Sequence, residues 1–175
     1  MENGTDETKS GGRKPADFNM AGFMDDEAAS TGVDIKAGQY PARFVKFGEP
    51  FMLDGKFKEQ LVVDLIYAVR LKDGEIGIVK QLVNMPPNAK AINVRSNMFK
   101  ALKAIAPALI ESDGKKIKKG TKISAFCGHQ CQVTVAVNDR DWPFVEAVSS
   151  EVEGLKYPTA EEAKTAAEGS QDVPF

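Results

Sequence analysis

From Gln60 to Asn84 apolar and polar residues alternate with a period of two, interrupted once at Asp73-Gly74. Leu61, Val63, Leu65, Tyr67, Val69 and Leu71 fall on one face while Asp64 and Arg70 point the other way, which is the pattern of a half-buried strand. Asp73-Gly74 pairs a side chain that accepts local backbone hydrogen bonds with a permissive glycine, so the pattern predicts a tight reversal after which Ile76, Ile78 and Leu82 resume the alternation. A lone hairpin is marginal in water, and its apolar face therefore needs cover from other elements.

Those elements are legible on both sides. Gln39 to Gly48 predicts a first strand with Tyr40, Ala42 and Phe44 on one face and Arg43, Val45 and Phe47 on the other, Pro41 fitting best near an edge. Glu49 to Lys58 reads as a polar and aromatic loop turning at Asp54-Gly55. Met85-Pro86-Pro87-Asn88 ends the third strand, because proline donates nothing to a ladder and restricts the residue before it. Ser96 or Asn97 then caps a helix in which Phe99, Leu102, Ile105, Ala106 and Leu109 recur at helical spacing, with Lys100 and Lys103 on the solvent side and Pro107 kinking or shortening it. Glu111 to Lys122 is a basic, turn-rich segment, and Ile123 to Phe126 a short helical turn. Val133, Val135 and Val137 share a face of a fourth strand, and Pro143 to Ser149 supplies a fifth. Three strands, a helix and two strands are the order of a mainly β, five-stranded, partly open Greek-key barrel of the oligonucleotide-binding (OB) type, with its helix between strands three and four. An SH3-like barrel and an α+β sandwich share the same pattern.

Charge changes the picture at the two ends. The 175 residues carry a net −2, yet residues 1–30 hold seven acidic and three basic side chains, residues 31–150 twelve and eighteen, and residues 151–175 six and two. A body of +6 is thus bracketed by arms of −4 each. The expected division is a flexible arm over 1–32, a folded domain over 33–150 and a flexible acidic tail over 151–175. Phe18, Met20, Phe23 and Met24 form a small apolar cluster in the arm, either incidental or able to dock on the body or on a second subunit of a homodimer. No run of 18 apolar residues exists and the N-terminus lacks a basic start, so neither a membrane span nor a secretory signal is read and an intracellular protein is expected.

The chemistry-bearing residues point away from catalysis. Cys127, His129 and Cys131 are too few for a structural zinc site, so reduced cysteines and no cofactor or metal are expected. There is no phosphate-binding glycine loop, no dinucleotide fingerprint and a single histidine; an enzyme is not expected. Sequence-tolerant binding of a single nucleic-acid strand, in contrast, needs positive charge that follows phosphates and rings on which bases stack. The open side of strands one to three and their loops offers Arg43, Lys46, Phe47, Phe51, Lys56, Phe57, Lys58, Arg70, Lys72 and Lys80. Arg95, Lys115, Lys116, Lys118, Lys119, Arg140 and Trp142 lie in loops or turns that extend the same groove. Phe47 is a platform only if the strand is regular, since a bulge reverses its face. Tyr67 belongs to the core side. The acidic tail can occupy the basic groove when no strand is bound. The other readings of the same residues are a protein–protein adaptor or virion component that uses the sheet face for assembly, and RNA as the ligand.

The last four residues, Asp172-Val173-Pro174-Phe175, follow an acidic stretch and resemble the C-terminal tip of bacterial single-stranded DNA-binding proteins, which typically ends Asp-Ile-Pro-Phe; Val173 stands in the isoleucine position. The body is similar instead to single-stranded DNA-binding proteins of tailed bacteriophages, in the layout Gly38-Gln39-Tyr40-Pro41-Ala42-Arg43 and in Phe126 to Val135, FCGHQCQVTV. The resemblance implies an OB fold, sequence-tolerant binding of single-stranded DNA without a cofactor, and action in the bacterial host's cytoplasm. It also implies that Asp172, Val173, Pro174 and Phe175 are gripped by replication, recombination or repair proteins.

Overall fold

The structure is a computed structural model that describes residues 34–54 and 59–169. The N-terminal arm, Lys56, Phe57, Lys58 and the Asp172–Phe175 tip lie outside the described residues.

The sheet grows outward from one long strand. β1 is Gly38–Phe47, β2 Phe51–Asp54, β3 Glu59–Arg70, β4 Ile76–Asn84, β5 Gln130–Val137 and β6 Pro143–Ser150. One edge of β3 carries β2 along its first half and β1 along its second, and the other edge carries β4. The free edge of β1 carries β5, and β5 carries β6, every ladder antiparallel. The described residues are therefore mainly β, an open antiparallel sheet of six strands with two helices, instead of the five strands expected. The additional strand is β2, in the segment read as a loop, where Phe51 pairs with Val62 and Asp54 with Glu59. β6 comes close to β4, but no ladder joins them and the sheet is not closed.

Register explains which faces are buried. Val63, Leu65, Tyr67, Val69 and Leu71 are buried as the alternation predicts, and only Leu61, beyond the core, is exposed. On β4 the expected face is inverted: Gly77, Val79, Gln81 and Val83 point inward, and Ile76, Ile78 and Leu82 do not. The cause is the turn. Leu71 donates its N–H to Glu75 O at 2.8 Å, so the loop is the three residues Lys72-Asp73-Gly74, with Gly74 at φ +93°, and not the two residues Asp73-Gly74. One extra residue flips every following side chain to the other face. It brings Gln81 inside, where its Oε1 accepts the Tyr67 hydroxyl proton at 2.9 Å.

Two bulges do the same locally. Between Phe44 and Lys46 the β1–β3 register shifts, so Phe44 and Phe47, three apart, both face the core, their rings edge-on at 5.0 Å. Between Val145 and Ala147 of β6 a second shift leaves Val145 and Val148 facing inward against Val135 and Val133. Helix α1, Asn97–Ile105, is capped by Ser96, whose Oγ accepts from Phe99 N at 3.1 Å; it buries Phe99, Leu102 and Ile105 against β4 and β6 and ends before Pro107.

The segment expected to be a flexible tail is docked as far as it is described. Thr159 and Glu162 form a reciprocal cap, Glu162 N to Thr159 Oγ1 at 3.0 Å and Thr159 N to Glu162 Oε1 at 2.9 Å, which starts helix α2, Ala160–Gly169. Ala163 and Pro158 are buried as α2 lies on the outer face of β1, β3 and β4. Arg70 reaches out of β3 to pair with Glu162 at 2.5 Å, and Arg43 Nε donates to Pro158 O at 2.7 Å. The Arg70 bond holds the Glu162 carboxyl below its ordinary value of 4.5. A carboxyl with a lowered folded pKa stabilises docking at pH above its ordinary value and stops doing so as pH falls through the lower folded value. Glu162→Ala, which removes both cap and ion pair, is expected to abolish amide-exchange protection over 160–169 at neutral pH while leaving β3 and β5 protected; unchanged protection of α2 would contradict this latch.

Candidate nucleic-acid interface

Between the facing edges of β4 and β6 lies a cleft of about 760 Å³. Its walls follow from the registers just described. Phe51 pairs with Val62 and Leu53 with Gln60, which sets both apolar side chains on the same face as Asp64, and Leu82 lies opposite Asp64 on β4. Across the gap stand Trp142 and Phe144, and Asn97 and Lys100 of α1 line the cleft between the two walls. Phe51, Trp142 and Phe144 are 41%, 38% and 38% exposed, so three large rings face solvent around one opening.

Trp142 is held by a rigid turn. Asn138 Oδ1 accepts the backbone N–H groups of Arg140 and Trp142 at 2.9 and 3.0 Å, while Asn138 N donates to Trp142 O at 3.0 Å. Asp141 takes φ +63°, a conformation in which aspartate is among the few non-glycine residues at ease. Phe144 pairs with Ala136 and faces outward beside it. The turn is thus fixed by the Asn138 side chain and by backbone groups, and the indole makes none of these bonds.

The charges of the cleft are mixed. Desolvation pushes the Asp64 carboxyl up and nearby Lys80 pulls it partly back; desolvation likewise lowers Lys80, which Asp64 partly restores. Lys100 adds a second ammonium from the helix and Glu146 of β6 a second carboxylate. A site with stacking surfaces on both walls suits a chain of flat, linked units, and its two lysines offer contacts to anionic groups beside the two carboxylates.

The structure brings together only some of the residues picked from sequence. Phe51, Lys80 and Trp142 line the cleft, and Arg140 lies beside Trp142 at a shallow recess made by the same turn. Arg43 and Lys46 lie instead in the groove between β1 and α2, and Arg70 and Lys72 at the far end of β3, because the sheet face expected to be open is covered there by residues 157–169. Phe47 is packed on the core through the β1 bulge and is no platform. Arg95 is exposed in the turn before α1, its N–H held by Asn93 Oδ1 at 2.7 Å. Lys115, Lys116, Lys118 and Lys119 are exposed on a separate small hairpin, where Ile110 bridges Ile117. Residues 151–169 line none of the cleft, so the described part of the tail does not fill it.

Phe144, Leu53 and Lys100 do not stand out in the sequence. Phe144 sits in an alternation that a bulge disguises, Leu53 in a segment too short to show a period, and Lys100 looks like any solvent-facing lysine. Cys131 is buried and its thiol pushed up to about 12 by desolvation, and Cys127 is also raised by burial. Among the described residues no group of three His, Cys, Asp or Glu side chains is placed to hold a metal ion, and no helix is long and apolar enough to cross a membrane. No protein-family model matches the chain, and neither a curated protein nor a solved structure matches it.

Proposed function

We propose that the protein binds single-stranded DNA without regard to sequence, in the cleft between β4 and β6, and protects it during phage DNA replication and recombination. The observation that carries the reading is the convergence of three exposed rings, Phe51, Trp142 and Phe144, on one opening that also holds Lys80 and Lys100. Every base has a ring face, so stacking tolerates any sequence, while the cations meet the phosphates. Strand pairing supports an OB-type arrangement: β1 lies between β3 and β5, β3 between β1 and β4, and β5 between β1 and β6. In this arrangement strand β2 and the β5–β6 turn flank the ligand. The Asp172–Phe175 tip is proposed to recruit replication, recombination or repair proteins.

Trp142 is the sole tryptophan and sits in the cleft, so it reports on its own site. Titration with oligothymidylate is expected to quench it, with affinity falling linearly in log salt and a duplex of equal length binding less well. An oligouridylate of the same length measures any preference between the two sugars. Absence of quenching at low salt, or affinity indifferent to salt, would refute the proposal.

A further inference from the structure

Lysines run from the edge of the cleft to a second, ring-free surface. Lys100 lines the cleft, and Lys103, three residues on, lies on the same side of α1 about one turn away. Lys103 reaches the lysine hairpin: a Cβ placed on Gly114 would stand 2.9 Å from its Nζ, and Gly114, at φ +73°, leaves that space empty. The hairpin itself is well fixed. Ile110 bridges Ile117, Glu111 N donates to Lys116 O at 2.8 Å, and Lys118 N donates to Leu109 O at 2.9 Å.

Between Lys100 and Lys122 the chain carries seven lysines against Glu111 and Asp113, and no aromatic residue occurs from 100 to 125. Lys100, Lys103, Lys115, Lys116, Lys118 and Lys119 are all exposed, and none of them forms an ion pair among the described residues. Like charges crowded on a rigid hairpin repel one another, and a polyanion laid across them relieves that repulsion.

We infer that single-stranded DNA leaving the cleft continues along Lys100 and Lys103 onto the 109–119 hairpin, where it is held through its phosphates alone. The inference rests on the proposed function and extends it to a two-part site, a stacking cleft followed by an electrostatic strip. Short strands occupy the first part only; longer ones engage both.

The test uses the full chain and two labelled oligothymidylates, one of roughly 6 nucleotides, near the short end of the span of a single OB-type site, and one of roughly 20, beyond its long end. The variant Lys115→Gln/Lys116→Gln/Lys118→Gln/Lys119→Gln is expected to bind the short strand as the wild type does. The long strand should bind about tenfold more weakly at low salt, with a salt slope shallower by about 0.7 for each phosphate that the variant no longer neutralises. A charge-matched control, Lys36→Gln/Lys90→Gln/Lys156→Gln/Lys164→Gln, should bind both strands as the wild type does. Equal losses on short and long strands, no loss on either, or the same loss in the control would overturn the strip. A wild type that binds neither strand would instead remove the cleft reading on which the strip depends. Unchanged melting temperatures show that the exposed substitutions leave the fold intact.

Discussion

Replacing Trp142 and Phe144 together by alanine is expected to weaken binding of a labelled oligothymidylate by about two to three orders of magnitude, since each ring–base stack is worth about 1–3 kcal/mol. The measurement is fluorescence anisotropy of the oligonucleotide, because the variant loses the intrinsic reporter. Both rings are 38% exposed, so the packed part of each is lost on truncation and the melting temperature should fall as well; binding is therefore measured well below it. The turn survives because Asn138 grips the backbone of residue 142 and not the indole. Phe51→Ala, on the opposite wall, should weaken binding by roughly tenfold. A double variant that binds within roughly threefold of the wild type would show that bases are not received here.

Phe44→Ala is expected to act in the opposite sense, on stability, and to cost about 3–5 kcal/mol. Phe44 is fully buried, edge-on to Phe47 and 5.4 Å from Tyr67, at the point where the β1 bulge turns two successive inward rings onto the core. Its backbone is also tied to the approach to β5: Phe44 N donates to His129 O at 2.9 Å and Gly128 N donates to Phe44 O at 2.7 Å. The truncation leaves those bonds in place but opens a ring-sized void beneath them. Against a typical total of about 5–15 kcal/mol, the loss is large enough to bring the protein near its folding threshold. Urea unfolding checks it, and a drop below roughly 1 kcal/mol would mean that the core collapses around the gap far better than close packing allows.

What could be read from the chain was whatever depended on neighbours a few residues away. The alternation of Val63 to Leu71, the Ser96 cap with Phe99 and Leu102 behind it, and the stop at Pro107 are all local signals, and each element stands where they put it. Misreadings arose where a single residue altered register. Lys72-Asp73-Gly74 instead of Asp73-Gly74 inverted β4, and the bulges in β1 and β6 moved Phe47 inward and disguised Phe144. The fate of Arg43 and Arg70 was harder still to see. Their partners are 115 and 92 residues away, so nothing near them in sequence announces that Pro158 and Glu162 cover that face. The start of α2, by contrast, was written in Thr159-Ala160-Glu161-Glu162, a capping box that can be read without coordinates. Phe51, Lys80 and Trp142, picked from the sequence as rings and cations for a proposed ligand, come together at the cleft.

The unladdered seam between β4 and β6 has a mechanical consequence. The two walls are linked by α1 and by the sheet that runs round the back, and among the described residues no strand ladder fixes their separation. Width is then the dimension of the cleft least constrained by backbone pairing. On the proposed reading, purines and pyrimidines, which differ in size by a whole ring, would be gripped by the same pair of walls at nearly equal cost, and indifference to sequence would rest on elastic compliance as much as on aromatic chemistry.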